Sequence, residues 1–225
     1  TTYLIKDSKG MRLTDKQGKD VLKKSYELIE PEIQRERVTF HLLEDGKLGI
    51  YNPRNNVLIS PKFVRKIDLL SDTVYITRMG SGSGILNIND QAKEQFEYEQ
   101  IESLNDTLIL VKEGEYWSLK NIISDDKLLD DIIQIEGKKD FGDFQQIKFR
   151  KAKGYGLLDS RFGIFLPGVY NEILSLKSSD VPYFFAERYL ADSEFYIVLY
   201  INKDGEKIKS IAYREDEYEN ILCEN

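Results

Sequence analysis

The sequence predicts an all-β fold of six four-stranded antiparallel repeats, closed as a six-bladed β-propeller or, as the alternative, stacked as an open β-solenoid-like array. Three observations predict it. Six short apolar runs end in Asp or Asn, at Asp15, Asn52, Asn87, Asn121, Asp159 and Asn202, spaced by 37, 35, 34, 38 and 43 residues. An isoleucine follows each, at Ile29, Ile67, Ile101, Ile135, Ile173 and Ile221, 14 or 15 residues on in five cases and 19 in the last. Apolar patterning with a 3.6-residue period is nearly absent, and the best helical candidate, Asp90 to Glu102, is too charged to bury a face.

These landmarks divide the 225 residues into one continuous domain of approximate units 1–36, 37–71, 72–105, 106–141, 142–179 and 180–225. In the first unit, Thr2 to Lys6 reads as a short strand that would complete the last blade. The second unit is the clearest. Val38 to Leu43 is a strand, Asp45-Gly46 a tight hairpin turn and Leu48 to Tyr51 the returning strand. Asn52 to Asn56 turns the chain again. Val57 to Ser60 is a third strand that Pro61 stops, and Phe63 to Leu70 is the fourth.

The other units repeat this plan with different residues. Three or four positions after each Asp/Asn stands a residue that accepts the left-handed region: Gly18, Asn55, Asp90, Asp125, Gly163 and Gly205. Three positions before each isoleucine stands Tyr26, Val64, Tyr98, Ile132, Tyr170 or Tyr218, expected to form packing layers between units. In the third unit, Met79-Gly80-Ser81-Gly82-Ser83-Gly84 falls in register with the Asp45-Gly46 turn. It lacks the Lys-Ser/Thr and helix start of a phosphate loop, so a hairpin turn is expected. The sixth unit departs most, with an aromatic run from Val181 to Leu190, an Ala191-Asp192-Ser193 turn and a long strand from Phe195 to Ile201. It reads as an extended hairpin, either capping the array or projecting to dock a partner. Its Tyr183, Phe184, Phe185, Arg188 and Tyr189 are the candidate partner-binding residues.

The stretch Asp45-Gly46-Lys47-Leu48-Gly49-Ile50-Tyr51-Asn52, with Val57 to Phe63 behind it, resembles the WG-repeat (KWG-repeat) family. So does Lys153-Gly154-Tyr155-Gly156-Leu157-Leu158-Asp159 with Phe165 to Ile173. The resemblance spans essentially the whole chain in degenerate form. The aromatic column reads Met11, Leu48, Ser83, Trp117, Tyr155 and Val198, and the glycine column Arg12, Gly49, Gly84, Ser118, Gly156 and Leu199; only Trp117 keeps the signature tryptophan. The resemblance implies a β-rich, mainly bacterial binding scaffold with no catalytic residues to transfer.

Chemistry is sparse. His41 is the only histidine and lies on a strand, where a structural or solvent-facing role is expected. The one cysteine, Cys223, cannot pair within the chain, and a zinc site would need more His and Cys ligands than one of each. Asp125-Asp126 and Asp130-Asp131 lack the spacing of a calcium loop. No catalytic, cofactor-binding or metal-binding residue is therefore assigned. Arg35 with Arg37, Lys62 with Arg65 and Lys66, and Arg150, Lys151 and Lys153 read as solvated basic clusters.

The net charge of -7 disfavours nucleic acid and anionic lipid and favours a basic protein partner. No apolar run is long enough for a membrane helix. The chain begins with Thr1, so a processed or trimmed start is expected, which leaves bacterial cytoplasm and periplasm equally open. The function expected is a non-catalytic protein-binding module, with an immunity protein that neutralises a toxin as its specific form. A carbohydrate- or small-ligand-binding propeller, hydrolytic or not, and an envelope-associated structural repeat are the alternatives. Oligomeric state is left open.

Overall fold

A computed structural model describes residues 2–34, 37–88, 95–176 and 183–223. The fold class is all-β, with six antiparallel sheets in succession that follow the strand plan of a six-bladed β-propeller. The first sheet pairs β1 (Tyr3–Asp7) with β2 (Gly10–Thr14). The second comprises β3 (Leu28–Gln34), β4 (Arg37–Glu44), β5 (Lys47–Asn52) and β6 (Val57–Phe63). The third comprises β7 (Asp68–Leu69), β8 (Val74–Met79), β9 (Gly82–Asn87) and β10 (Gln95–Tyr98). The fourth comprises β11 (Gln100–Ser103), β12 (Leu108–Glu113), β13 (Tyr116–Asn121) and β14 (Lys127–Ile132). The fifth comprises β15 (Gln134–Asp140), β16 (Gln145–Lys151), β17 (Gly154–Asp159) and β18 (Gly163–Tyr170). The sixth comprises β19 (Glu172–Leu176), β20 (Tyr183–Leu190), β21 (Phe195–Ile201) and β22 (Lys207–Arg214), after which α1 (Glu215–Cys223) follows.

The sheets begin one strand earlier than the sequence units suggest. Ile29, Ile101 and Ile135 lie in β3, β11 and β15, and Ile173 in β19, each the first strand of a sheet rather than the last strand of the one before. Phe63 to Leu70 is accordingly no fourth strand: β6 ends at Phe63, and Asp68–Leu69 opens the next sheet. Nor does Pro61 stop a strand. It lies within β6, an edge strand whose register against β5 shifts between Leu48↔Phe63 and Ile50↔Ile59. A residue without an N–H is tolerated at such a bulged edge.

Pro167 occupies the same kind of place in β18, where the register shifts between Tyr155↔Tyr170 and Leu157↔Leu166. Opposite each bulge stands a glycine. A Cβ on Gly49 would meet the Ile59 carbonyl at 2.5 Å, and one on Gly156 would meet the Phe149 ring at 2.1 Å.

Five of the Asp/Asn landmarks are turn acceptors. Asp15 Oδ1 takes hydrogen bonds from the N–H of Gln17 and Lys19, both at 2.9 Å, and Asn52 Oδ1 from Arg54 N at 3.0 Å. Asn121 Oδ1 does so for Ile123 N at 2.8 Å, Asp159 Oδ1 for Arg161 N at 2.9 Å, and Asn202 Oδ1 for Asp204 N at 3.0 Å. A short side-chain acceptor satisfies a turn N–H that no strand reaches, which is why Asp and Asn recur there. Gly18, Asp125, Gly163 and Gly205 have positive φ as expected. In the second sheet the left-handed residue is Asn56, at φ 58°, and not Asn55. Asp90 lies outside the described residues, as do Arg35, Val181 and Pro182.

The degenerate columns share one register except in the sixth sheet, where Val198 pairs with Ile211. Met11 bridges Tyr26, Ser83 pairs with Tyr98, Trp117 with Ile132 and Tyr155 with Tyr170. In the second sheet Leu48 pairs with Phe63, so Phe63, fully buried, fills the position assigned to Val64, which is 61% exposed.

Two compact units divide the chain, one of Thr1–Thr107 with Val111–Gly114 and the other of Leu108–Leu110 with Glu115–Asn225. Within the first, Leu13, Leu22, Tyr26, Ile29, Phe40 and Leu42 form one buried layer, and Ile50, Ile59, Phe63, Ile67 and Tyr75 form the next. Within the second, Leu157, Leu166, Tyr170, Ile173, Phe184 and Ala186 pack the fifth sheet against the sixth. Tyrosine and isoleucine thus fill inter-sheet layers because one closes a sheet and the other opens its neighbour.

The chain's two ends differ from expectation. β1 pairs with β2 and does not complete the last sheet, and the first sheet holds two strands plus the bridges Thr14↔Asp20 and Met11↔Tyr26 rather than four strands. Tyr218 and Ile221 lie on α1, not on a strand. The glycine-rich segment is a hairpin turn, with Gly80 at φ 59° between β8 and β9.

Candidate partner interface

The aromatic segment of the last repeat forms β20, and it does not project. It pairs with β19 from Glu172↔Glu187 to Leu176↔Tyr183 and with β21 from Phe184↔Ile201 to Leu190↔Phe195. Alternation along a strand sorts its residues onto two faces. Phe184 is 1% exposed and packs in the core between the fifth and sixth sheets, so it is corrected from a partner contact to a core residue. Tyr183 is half-buried and Arg188 exposed. Phe185 and Tyr189 lie on the face opposite the core and are half-buried, with Phe185 edge-on to Tyr200 at 5.8 Å and Tyr189 against Tyr196 at 4.7 Å.

That second face is partly covered by α1. Tyr218 stacks on Tyr196 at 4.4 Å, lies 5.6 Å from Tyr213, and donates from its hydroxyl to Glu187 Oε2 at 2.6 Å. Burial pushes the Tyr218 phenol well above its usual value, and the hydrogen bond to Glu187 pushes it further, so it remains a donor across the working pH range. The last sheet is thus covered on this face by the helix that follows it.

Sequence reasoning missed α1 because the repeat template carried a strand through this stretch. A signal was present. Glu215, Asp216 and Glu217 crowd the first turn, where the helix dipole favours negative charge, and Glu217 Oε2 accepts from Arg214 N at 3.1 Å in the manner of a capping box.

At the hairpin tip a cleft of about 620 Å³ opens between the β20–β21 turn and the β22–α1 junction. It is lined by Glu194, Glu215, Asp216 and Glu219 with a single cation, Arg214, and by Phe195, a residue 37% exposed. The backbone ties the two walls together: Glu215 N donates to Glu194 O at 3.1 Å. Tyr189 hydroxyl donates to Glu215 Oε2 at 3.0 Å, and that bond is the first cause of its raised phenol pKa. Burial, then the carboxylates Glu187, Glu215 and Glu219, hold Tyr196 up as well. Arg214 Nε lies 3.6 Å from Asp216, whereas Glu194 and Glu219 have no cationic partner among the described residues. The arrangement is an acidic cleft with an aromatic wall.

Elsewhere several polar groups are paired, although His41 Nδ1 and Arg12 Nε are buried without a hydrogen-bond partner. His41, 7% exposed, donates from Nε2 to Glu32 Oε2 at 2.5 Å, and Lys66 holds the other carboxylate oxygen, also at 2.5 Å. Of the basic clusters, Arg37 pairs with Asp72 and Asp106, and Lys151 with Asp130. Among the described residues no group of three His, Cys, Asp or Glu side chains is placed to hold a metal ion, and no helix is long and apolar enough to cross a membrane.

No protein-family profile and no curated protein matches the sequence. Solved structures similar to it include Kluyveromyces lactis Hsv2p, at 12% identity and TM-score 0.36 over 81% of this chain and 63% of that one. The Kluyveromyces lactis Hsv2 structure with a complete loop 6CD aligns at 10% identity and TM-score 0.40, covering 88% of this chain and 66% of that one. The dihydro-heme d1 dehydrogenase NirN in complex with DHE aligns at 11% identity and TM-score 0.35, covering 93% and 53%. The chain thus spans between half and two thirds of the length of these proteins. Likenesses this remote assign neither substrate nor partner.

Proposed function

We propose that the chain is a non-catalytic protein-binding repeat module that recognises a basic protein segment at the acidic cleft of its last repeat. One observation carries the reading: Glu194 and Glu219 stand without cations beside the exposed Phe195 ring, on a scaffold of net charge -7. Such a surface supplies both halves of an interface, long-range steering of positive charge and an apolar anchor at contact. A toxin neutralised in the manner of an immunity protein is the specific form of partner we favour. We further read the chain as divergent WG-type repeats, supported by Gly49 and Gly156, each facing a proline-containing bulge.

The test is a pull-down from the native host followed by titration of the recovered partner against the wild type and a Glu194→Lys/Glu219→Lys variant. Binding that weakens with salt and falls about tenfold or more in the variant is expected. A partner held equally well by the variant would remove the cleft from the interface, and recovery of no basic protein would remove the reading.

A further inference from the structure

Five of the six sheets have four strands, and in each of these the opening strand pairs with the second. The first sheet holds β1, β2 and the bridges beyond β2, and the other edge of β1 bonds to no strand among the described residues. β1 stands where the second strand stands elsewhere. Tyr3 faces Thr14, three residues beyond Met11 of the aromatic column. The residues so placed in the second, third, fifth and sixth sheets are Phe40, Tyr75, Ile147 and Phe184. Those four are at most 8% exposed, whereas Tyr3 is 51% exposed and its neighbour Leu4 41%. The position open in the first sheet is therefore that of the opening strand, and it leaves a core site bare along an edge of unpaired N–H and C=O groups.

The sequence carries one opening-strand motif that has no sheet. Ile29, Ile135 and Ile173 lie in the opening strands of the second, fifth and sixth sheets, each opposite a fully buried residue of the second strand: Leu42, Phe149 and Ala186. Ile221, the last of the series, opens none. Tyr218-Glu219-Asn220-Ile221-Leu222-Cys223 repeats Tyr170-Asn171-Glu172-Ile173-Leu174-Ser175 at Tyr, Ile and Leu, and both end on a small residue. In the structure these residues close α1, whose last turn has no basic side chain to meet the helix dipole. Tyr218, which anchors the helix to the sixth sheet, precedes the motif's isoleucine, so the residues after it can unwind without releasing it.

We propose that the free edge of β1 is a strand-docking site and that its occupant is residues 220–225 of this chain, unwound from the end of α1 and added antiparallel as the opening strand of the first sheet. The register of the sixth sheet, transferred to β1, puts Ile221 opposite Ile5, Leu222 opposite Leu4 and Cys223 opposite Tyr3. Main-chain bonds along the edge and cover for Tyr3 and Leu4 offset the lost helical turn. The repeat itself selects this occupant, since the motif and the open position are the two members of the series left unmatched. The acidic cleft plays no part, and either reading can fail without the other.

The one cysteine makes the register testable. Directly opposed residues of an antiparallel pair hold their Cβ atoms about 4.5–5.5 Å apart, close enough for a disulfide after a small adjustment. The experiment introduces Tyr3→Cys into the whole chain, adds oxidised glutathione in dilute solution, and follows by peptide mass spectrometry the rate at which positions 3 and 223 become linked. Ser8→Cys, at the exposed tip of the β1–β2 hairpin, is the control. Both substitutions fall at exposed positions, so each variant should keep the circular dichroism spectrum of the wild type. Linkage about tenfold or more faster from position 3 than from position 8 is expected, and adding Ile221→Asp to the Tyr3→Cys chain should bring it down to the control rate. Equal rates from the two positions, or a rate from position 3 that Ile221→Asp leaves unchanged, would each overturn the proposal.

Discussion

The turns after β2 and after β17 use the same device in different surroundings. At both, an aspartate Oδ1 accepts from the N–H two residues on. Asp15 does this at an exposed turn, where water can replace any bond it loses. Asp159 is fully buried. There its second oxygen takes Gln146 Nε2 at 2.9 Å, and Arg161 closes over the carboxylate with Nε and Nη2, both at 3.0 Å. The Arg161 guanidinium also lies 3.6 Å from the centre of the Phe144 ring and donates to the Lys203 carbonyl at 2.6 Å, tying the fifth sheet to the turn of the sixth. The repeat supplies the turn, but burial decides whether the same residue is a local convenience or a charge that must be answered.

The largest effect should follow from breaking that answer. Arg161→Ala strands a buried carboxylate, and urea denaturation should show a loss of about 3 kcal/mol. Asp159→Asn in the same background removes the orphaned charge while keeping the turn acceptor, and should recover part of it. An Arg161→Ala variant as stable as the wild type would show that water reaches Asp159. Next in size is Gly156→Ala, which drives a Cβ into the Phe149 ring of the same sheet and should cost about 2 kcal/mol. Asp15→Ala should cost about 1 kcal/mol or less, and a loss equal to that of Arg161→Ala would erase the distinction between the two turns.

The smallest effect is acid-dependent. For Glu32, burial by itself raises the carboxyl pKa, but hydrogen bonds from Lys66 and His41 outweigh it and hold the group below its ordinary value of 4.5. Glu172 shows the same balance, with burial opposed by Lys148 and the Ile173 N–H. A carboxylate lowered on folding contributes stability above its unfolded pKa and loses it as pH falls through the folded one. The Tm difference between wild type and Glu32→Gln should therefore be present at neutral pH and close below about 4.5. Both groups are partly solvated, so the difference is small.

Much of this architecture was legible in the residues. The turn acceptors, the Asp45-Gly46 hairpin and the Tyr/Ile layers rest on local chemistry that a single sequence carries. The phase of the sheets was not legible, because an isoleucine three residues beyond a tyrosine fits the end of one strand as well as the start of the next. The bulges at Pro61 and Pro167 were hidden for a related reason. An extra residue is visible only against its partner strand. In the last repeat, aromatic content pointed to the right sheet but could not separate Phe184 in the core from Tyr189 on the opposite face. The acidic cleft needed α1, whose capping residues were read as part of a strand.

Since every strand bonds to a neighbour only a few residues away along the chain, no sheet waits for a distant segment before it can form. β1 finds β2 within the first fourteen residues, and the last sheet is complete without borrowing from the N-terminus. Contacts this local favour fast acquisition of structure, and they let a nascent chain settle sheet by sheet as it leaves the ribosome. The gain or loss of a whole unit over evolutionary time would then leave the pairing of all the others intact.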